Sequence, residues 1–350
     1  MDRVGVSCRP KAYASRLGMP RNHSIMSSSP QVSIGLPVRN GERFLVEALD
    51  CLVNQSYGDF ELLISDNDST DQTEAICREY ASKDSRIRYH RQTKNVGAIG
   101  NFNYVFHHTK GKYFKWASSD DLCHPEFVSR CVDILETTPD VIWCHAKSDM
   151  VDSNGESWLD RLPRDDEEVE LDEFGNRRWK GHPRVDLNHD RPSRRYAGVL
   201  LGTRWSVDSY GLFRRDALNK TRMLVDIYGS EKVLIGELSL IGKMHWIDEL
   251  LFSQRIHAGA SSYIDSANAQ AEFISARNRK PFVSTRWSIF RAHYGAIAHA
   301  ELPTMERLAC HAVLARYLLQ IGKWKRVVTT TLSGQSVGGG GKRIIENAAG

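Results

Sequence analysis

Between Gln31 and Ala146 the chain alternates short β-prone runs with stretches of helical apolar spacing, and no other feature limits the fold as strongly. QVSIGLP (31–37), DFELLIS (59–65), RIRYH (86–90), KYFKWA (112–117) and DVIWCHA (140–146) read as strands. Between them, Phe44, Leu45, Ala48, Leu49 and Leu52 form one helical stripe. Ile76 and Tyr80 mark a second, Ile99, Phe102 and Phe106 a third, and Phe127, Val128, Cys131, Val132 and Leu135 a fourth. Ser69, Thr70 and Asp71 cap the second helix, with Glu74 placed for a capping box. This order implies βαβ units and an α/β fold around a mainly parallel sheet flanked by helices. Ligands of such sheets bind beyond the carboxyl ends of the strands. Two acidic clusters fall there: Asp66, Asp68 and Asp71 in SDNDSTD, and Asp120 and Asp121 in SSDD.

Composition removes several classes. With 350 residues, a net charge of +4 and 9% aromatics, the chain is neither globally disordered nor too short for a large core. No run reaches the roughly 20 apolar residues of a membrane span. Basic residues are dispersed among acids, so no nucleic-acid partner is expected. The seven cysteines form no CxxC pair, which fits buried, reduced thiols in a cytoplasmic protein.

Residues 1–30 lack an apolar leader core and read as a disordered tail, with the folded domain over 31–262. Within it, 152–195 is a charged insertion. An acidic cluster (Asp165 to Glu168) precedes a basic one (Arg177, Arg178, Lys180, Arg184). It reads as a solvated excursion, with an acceptor-side flap as the alternative. Lys232 to Ile241 reads as a helix stopped by Gly242, followed by a strand ending at Arg255-Ile256-His257. Residues 263–332 are mainly helical, broken at Pro281 and Pro303, and 333–350 form a flexible Gly-rich tail.

Adjacent acids facing one crevice repel unless a cation or a donor compensates. A hard divalent ion (Mn2+ or Mg2+) completed by phosphate oxygens and water meets that need. In combination, VSIGLPVRNGERFL, DFELLISDNDSTDQT and NVGAIGNFNYVFHHTKGKYFKWASSDDLCHPEF resemble family-2 glycosyltransferases of the GT-A fold. The resemblance runs from about Val32 to Cys144 and returns over 205–262. It implies a nucleotide-sugar donor, UDP- or dTDP-linked, and a glycan or lipid-linked acceptor. It also implies a divalent metal cofactor and inverting transfer in cell-surface polysaccharide, glycolipid or glycoconjugate synthesis.

The same resemblance implies residue roles. Pro37 and Asn40 match the loop along the nucleoside. Asp66 and Asn67 match the pair that reads the base, with Asn67 where a second Asp is common. An Asn still offers a donor and an acceptor to a base edge. Asn95 and Gly97 match the ribose loop. Asp120 and Asp121 match the acidic motif, Asp120 toward the ribose and Asp121 on the metal, with Ser118 where some relatives have a further acid. His257 matches the histidine that closes on diphosphate or metal, and Arg255 is expected on phosphate. Glu231, in GSEKVL, matches the general base, one methylene longer than the usual Asp; Asp208 and Asp226 are next in line. His107 and His108 carry no role.

Two other classes remain. A nucleotidyltransferase should have a Gly-rich basic loop after the first strand, which GLPVRNGER lacks. A non-catalytic sugar-nucleotide-binding or scaffold protein is supported only by the departures at Asn67, Ser118 and Glu231. Residues 283–330 combine Trp287, Phe290, Tyr294, Leu318 and Trp324 with Arg286, Arg291, Arg307, Arg316, Lys323, Lys325 and Arg326. They read as a helical cap on the catalytic domain or as a peripheral contact with the inner face of a membrane.

Overall fold

Every residue of the first strand, β1 (Val32–Val38), is buried, as a strand covered by helices on both faces should be. It lies between β2 (Phe60–Asp66) and β4 (Tyr113–Trp116) and is parallel to both; β3 (Ile87–Arg91) adds to β2 in the same sense. The computed structural model describes residues 29–161, 169–171, 177–179, 187–202, 207–260, 267–274 and 285–320. The N-terminal tail before residue 29, residues 162–168, 172–176 and 180–186 of the charged insertion, Pro281 and the Gly-rich tail lie outside these.

The eight-stranded sheet has the order β3-β2-β1-β4-β9-β6-β10-β5. Its second half contains β5 (Leu122–Cys123), β6 (Val141–Val151), β9 (Leu212–Arg214) and β10 (Lys243–Arg255). β6 and β10 are parallel, whereas β9 runs antiparallel to both β4 and β6, and β5 antiparallel to β10. The sheet is therefore mainly parallel, as the alternation implies. Its two reversed strands, two and three residues long, are too short to show a period in sequence.

Alternation along the strands feeds two cores. On one face α1 (Leu45–Val53), α2 (Thr73–Lys83) and α4 (Phe127–Thr137) cover Val32, Ile34, Leu36 and Tyr113. On the other, α3 (Gly97–His107), α7 (Arg215–Asn219) and α8 (Ser230–Ile241) cover Phe114, Trp116 and Phe213. Gly35 lets α3 approach: a Cβ there would come within 2.6 Å of Val105 Cγ2. The expected capping box at α2 does not form. Asp71 Oδ1 accepts the Thr73 amide instead, while Glu74 pairs with Arg78 and Arg91. Two nearby guanidiniums hold that carboxylate more strongly than one backbone amide would.

In the charged insertion, β7 (Val169–Leu171) and β8 (Arg177–Trp179) pair antiparallel. Short helices α5 (Trp158–Arg161) and α6 (Pro192–Ala197) flank them. At the C-terminal side lie α9 (Ala267–Ile274), α10 (Thr285–His299) and α11 (Thr304–Leu318), the last starting after Pro303 as read from sequence. A third core of Tyr196, Leu200, Leu240, Ile297, Cys310, Leu314 and Tyr317 joins α10 and α11 to α6 and α8. The helical region is thus packed on the helices that flank the sheet. The six described cysteines are buried and outside any disulfide, and burial pushes the Cys77 and Cys310 thiols up to about 12.

Candidate functional site

β1 parts from β4 after Gly35–Trp116 but stays paired with β2 as far as Val38–Asp66. Pro37 lies in the part no longer paired with β4, where its missing N–H costs no ladder bond on that side. The split opens a cavity of about 550 Å³ at the carboxyl edge of the sheet. The loops after β1 and β2 are tied together beside it. The Asn40 amide donates to Ser69 Oγ at 2.9 Å, and Asn40 Oδ1 accepts the Thr70 amide at 2.9 Å. Asn40 takes a left-handed φ of 52°, which Asn tolerates better than most residues. Pro37 and Asn40 both line the cavity.

Asn67 and Asn95 form its next wall. Asn67 Nδ2 donates to Asn95 Oδ1 at 2.9 Å, and Asn67 Oδ1 accepts the Val96 amide at 2.8 Å. Gly97, with φ 80°, starts α3 and donates its amide to Asn95 Oδ1, but does not itself line the cavity. Asn67 thus commits its amide protons to Asn95 Oδ1 and, at 3.3 Å, to the Gly97 carbonyl, while its Oδ1 keeps a second lone pair beside the Val96 contact. Asp66 is fully buried and does not line the cavity. Its Oδ1 accepts the Ser69 amide at 2.9 Å, and its Oδ2 accepts the Tyr89 hydroxyl at 2.8 Å and Arg91 Nη1 at 3.4 Å. A buried carboxylate needs such partners, and here the protein supplies them.

At the other end stands the acidic pair. Asp120 lines the cavity, receives the Ser118 hydroxyl and lies 2.9 Å from His257 Nε2, which lines the cavity as well. Asp121 is turned inward. Its Oδ1 accepts the Arg255 amide at 2.9 Å, and burial, followed by the Asp120 charge, pushes its carboxyl well above the usual range. Arg255 is also placed differently from the sequence expectation. Its guanidinium is fully buried and donates to the carbonyls of Asp120, Asp152 and Ser153 and to Glu47 Oε2 at 2.7 Å. It braces the loop that carries Asp120 and does not face the cavity.

No three His, Cys, Asp or Glu side chains among the described residues converge into a cation cage. The donor set still fits a divalent ion of the magnesium type. Asp120 and His257 face the open cavity, which leaves room for phosphate oxygens and water as further ligands, and Asp121 stands directly behind them.

Glu231 occupies the first turn of α8, half-buried; burial raises its carboxyl, opposed by the amide at the helix start. Gly229, at φ 79°, turns the chain into this helix, and α10 closes on that turn: a Cβ on Gly229 would meet Ile289 Cδ1 at 3.4 Å. Glu231 does not line the cavity, but Tyr210 does, and the Glu231 charge acts on the Tyr210 phenol.

The profile of glycosyl transferase family 2 matches residues 33–221, more than half of the chain. The chain belongs to that family. The match spans the loops after β1, β2 and β4 that build the cavity. A Rickettsia bellii protein named as an uncharacterized glycosyltransferase is 40% identical over 108 residues, 30% of this chain and 15% of that protein. EpsE of Bacillus subtilis, named as a glycosyltransferase, is 34% identical over 112 residues, 32% of this chain and 40% of its own length. The chain thus spans less than half of these relatives. Among solved structures, Staphylococcus aureus TarS 1–349 in complex with UDP superposes with a TM-score of 0.56 at 15% identity, over 86% of this chain and 75% of that one. That likeness shows the shared GT-A architecture.

For this family-2 chain, the sequence-derived residues Pro37, Asn40, Asn67, Asn95, Asp120 and His257 meet at one cavity. Asp66, Gly97, Asp121 and Arg255 support its walls from within, and Glu231 stands apart on α8. Sequence reasoning missed Tyr210, Phe44 and Phe102, which also line the cavity. Phe44 had been assigned to the α1 stripe alone; it packs 4.7 Å from the His257 ring and 4.6 Å below the Arg255 guanidinium.

Proposed function

We propose that the chain transfers a glycosyl group, with inversion, from a UDP- or dTDP-linked sugar to an acceptor hydroxyl in the synthesis of a cell-surface glycan or glycoconjugate. The observation that carries this reading is the cavity itself, with amide side chains at one end and the Asp120–His257 pair at the other. The Asn67–Asn95 wall suits the nucleoside, and the acidic end suits the diphosphate. A divalent ion bound at Asp120, Asp121 and His257 would offset the charge of the leaving diphosphate. Glu231 takes the proton from the acceptor hydroxyl as its oxygen attacks the anomeric carbon, and the bond from that carbon to the diphosphate breaks on the opposite face. The electron pair leaves with the nucleotide. Two names support the setting: a neighbour of this fold was solved with UDP, and GgaB of Bacillus subtilis, 33% identical over 92 residues, is named for minor teichoic acid biosynthesis.

The test is thermal stabilisation by a panel of UDP-, dTDP- and GDP-sugars with and without Mn2+ or Mg2+. Binding to the folded state alone stabilises by about 2.7 kcal/mol at 100 times Kd. A metal-dependent rise in Tm with UDP- or dTDP-sugars is expected. No rise with any nucleotide sugar overturns the reading.

The acceptor side of the proposal is lipid-linked, presented at the inner face of a membrane. No helix among the described residues is long and apolar enough to cross one. The outer face of α10 and α11, however, exposes Tyr294 (56%), Met305 (76%), Leu308 (58%) and Leu319 (73%). Arg291 and Arg316 are exposed on the same helices, and Glu301, in the connection between the two helices, is an exposed acid. Arg286 and Arg307 do not join them, since their guanidiniums bind the carbonyls of Tyr317 and of Ile297 and Ala300. Apolar side chains flanked by cations suit an anionic lipid surface, at about 1 kcal/mol per cation. Co-sedimentation with phosphatidylglycerol vesicles at low salt, released at high salt, is expected. No co-sedimentation at low salt overturns the membrane contact and leaves a soluble acceptor.

A further inference from the structure

Tyr210 comes from a segment with no recognised motif, yet four constraints fix it at the reaction end of the cavity. It ends the 3-10 turn Val207–Tyr210. Its carbonyl receives the buried Lys115 ammonium, which crosses the sheet from β4. The following Gly211 approaches β6 so closely that a Cβ would meet the Cys144 carbonyl at 2.5 Å. Its ring stacks on Phe252 of β10, with centroids 6.0 Å apart and planes 16° from parallel. A ring held from β4, β6 and β10 at once is a rigid support for its hydroxyl.

The surroundings of that hydroxyl indicate its use. Tyr210 lines the cavity together with Ser118, Asp120 and His257, and its phenol is within reach of the Ser118 hydroxyl. It is also close enough to feel Asp121, Asp120 and Glu231, the acids proposed for the diphosphate end and for the base. In an inverting displacement the anomeric carbon lies between the leaving phosphate and the base. A ring that lines the cavity beside Ser118 and Asp120 lies along the path of the glycosyl unit as it leaves the diphosphate end.

We propose that Tyr210 is a substrate-contacting residue whose phenol donates a hydrogen bond to the transferred glycosyl group, orienting it between the diphosphate end and Glu231. This deepens the transferase reading and rests on it. Burial and the neighbouring carboxylates keep the phenol protonated, so it stays a donor across the working pH range. The Lys115 contact and the Phe252 stack involve the backbone and the ring, so neither depends on the hydroxyl.

The experiment compares the unmodified protein with Tyr210→Phe in the full chain. UDP-glucose and UDP-N-acetylglucosamine with Mn2+ are the probes, and UDP release, UDP-dependent thermal stabilisation and Tm are measured. Loss of one positioned donor at a reaction centre costs about 10²–10³ in kcat. The expected result is a fall of at least about 10² in kcat, with Tm and UDP affinity unchanged. A packing role would lower Tm, and a nucleotide-binding role would weaken UDP; either outcome overturns the inference. Turnover within threefold of the unmodified protein also overturns it, while the transferase reading stands. Absence of stabilisation and of nucleotide release with UDP- and dTDP-sugars alike in the unmodified protein overturns that reading and the inference with it.

Discussion

Glu231→Gln slows glycosyl transfer by about 10²–10⁴ at saturating acceptor, the range expected when general-base assistance is removed. Gln keeps the volume and the hydrogen-bonding capacity but cannot accept the acceptor's proton. Donor affinity stays within a factor of two, because Glu231 lies on α8 and does not line the cavity. The pH profile of the unmodified protein carries a second sign of the role. Burial raises the Glu231 carboxyl above its ordinary 4.5, so the acid limb of kcat lies above that value, and in Glu231→Gln this limb is lost. Linkage fixes the direction of the stability change. A carboxyl whose folded pKa is raised contributes stability that is present below the unfolded pKa and is lost as pH rises through the folded pKa. At pH 8 the ionised Glu231 therefore costs stability, and Glu231→Gln is at least as stable as the unmodified protein. A variant with near-normal turnover moves the base assignment to Asp208. Burial lifts that carboxyl to about 7, and it sits in the same 3-10 turn as Tyr210.

The parts of this molecule visible in sequence are those written with a period. β1 to β4 and the helices between them follow from apolar spacing, and the acids at strand ends follow from the rule for parallel sheets. What the period does not encode is which neighbour faces the ligand. Asp120 and Asp121 are adjacent in a bend after β4, where no strand period tells which one faces inward, and the packing of β10 decides that Asp121 turns in to the Arg255 amide. Arg255 and His257 share a face by alternation, yet β10 ends at Arg255. The alternation stops there, leaving Arg255 as an internal brace and His257 on the cavity. Asn67 is identifiable as a site residue, but its bonds to Asn95 and Val96 depend on how α3 begins at the left-handed Gly97. Tyr210 carried no signal. Its place depends on Lys115, 95 residues away in sequence, and on a three-residue strand that no pattern marks.

Asp121→Asn abolishes the metal dependence of nucleotide binding and lowers transfer by at least about 10²–10³, the cost of losing one electrostatic contact to developing charge at a reaction centre. The substitution is nearly isosteric, and Asn Oδ1 can still accept the Arg255 amide that now binds Asp121 at 2.9 Å. Arg255 therefore keeps its contacts to Asp120, Asp152, Ser153 and Glu47, and the fold is retained. Any lost activity is then assigned to charge and not to collapse of the loop. In the unmodified protein Asp121 is buried next to Asp120, and both effects raise its carboxyl. A cation between the two acids would relieve that repulsion, so binding of Mn2+ with UDP should stabilise the unmodified protein more than Mn2+ and UDP do separately. In Asp121→Asn that excess stabilisation disappears, while stabilisation by UDP alone is kept. The measurement is Tm across a matrix of UDP and Mn2+ concentrations for both proteins. Equal Mn2+-dependent gains in the two would remove Asp121 from the metal site and leave Asp120 and His257, which already face the cavity, as its protein ligands.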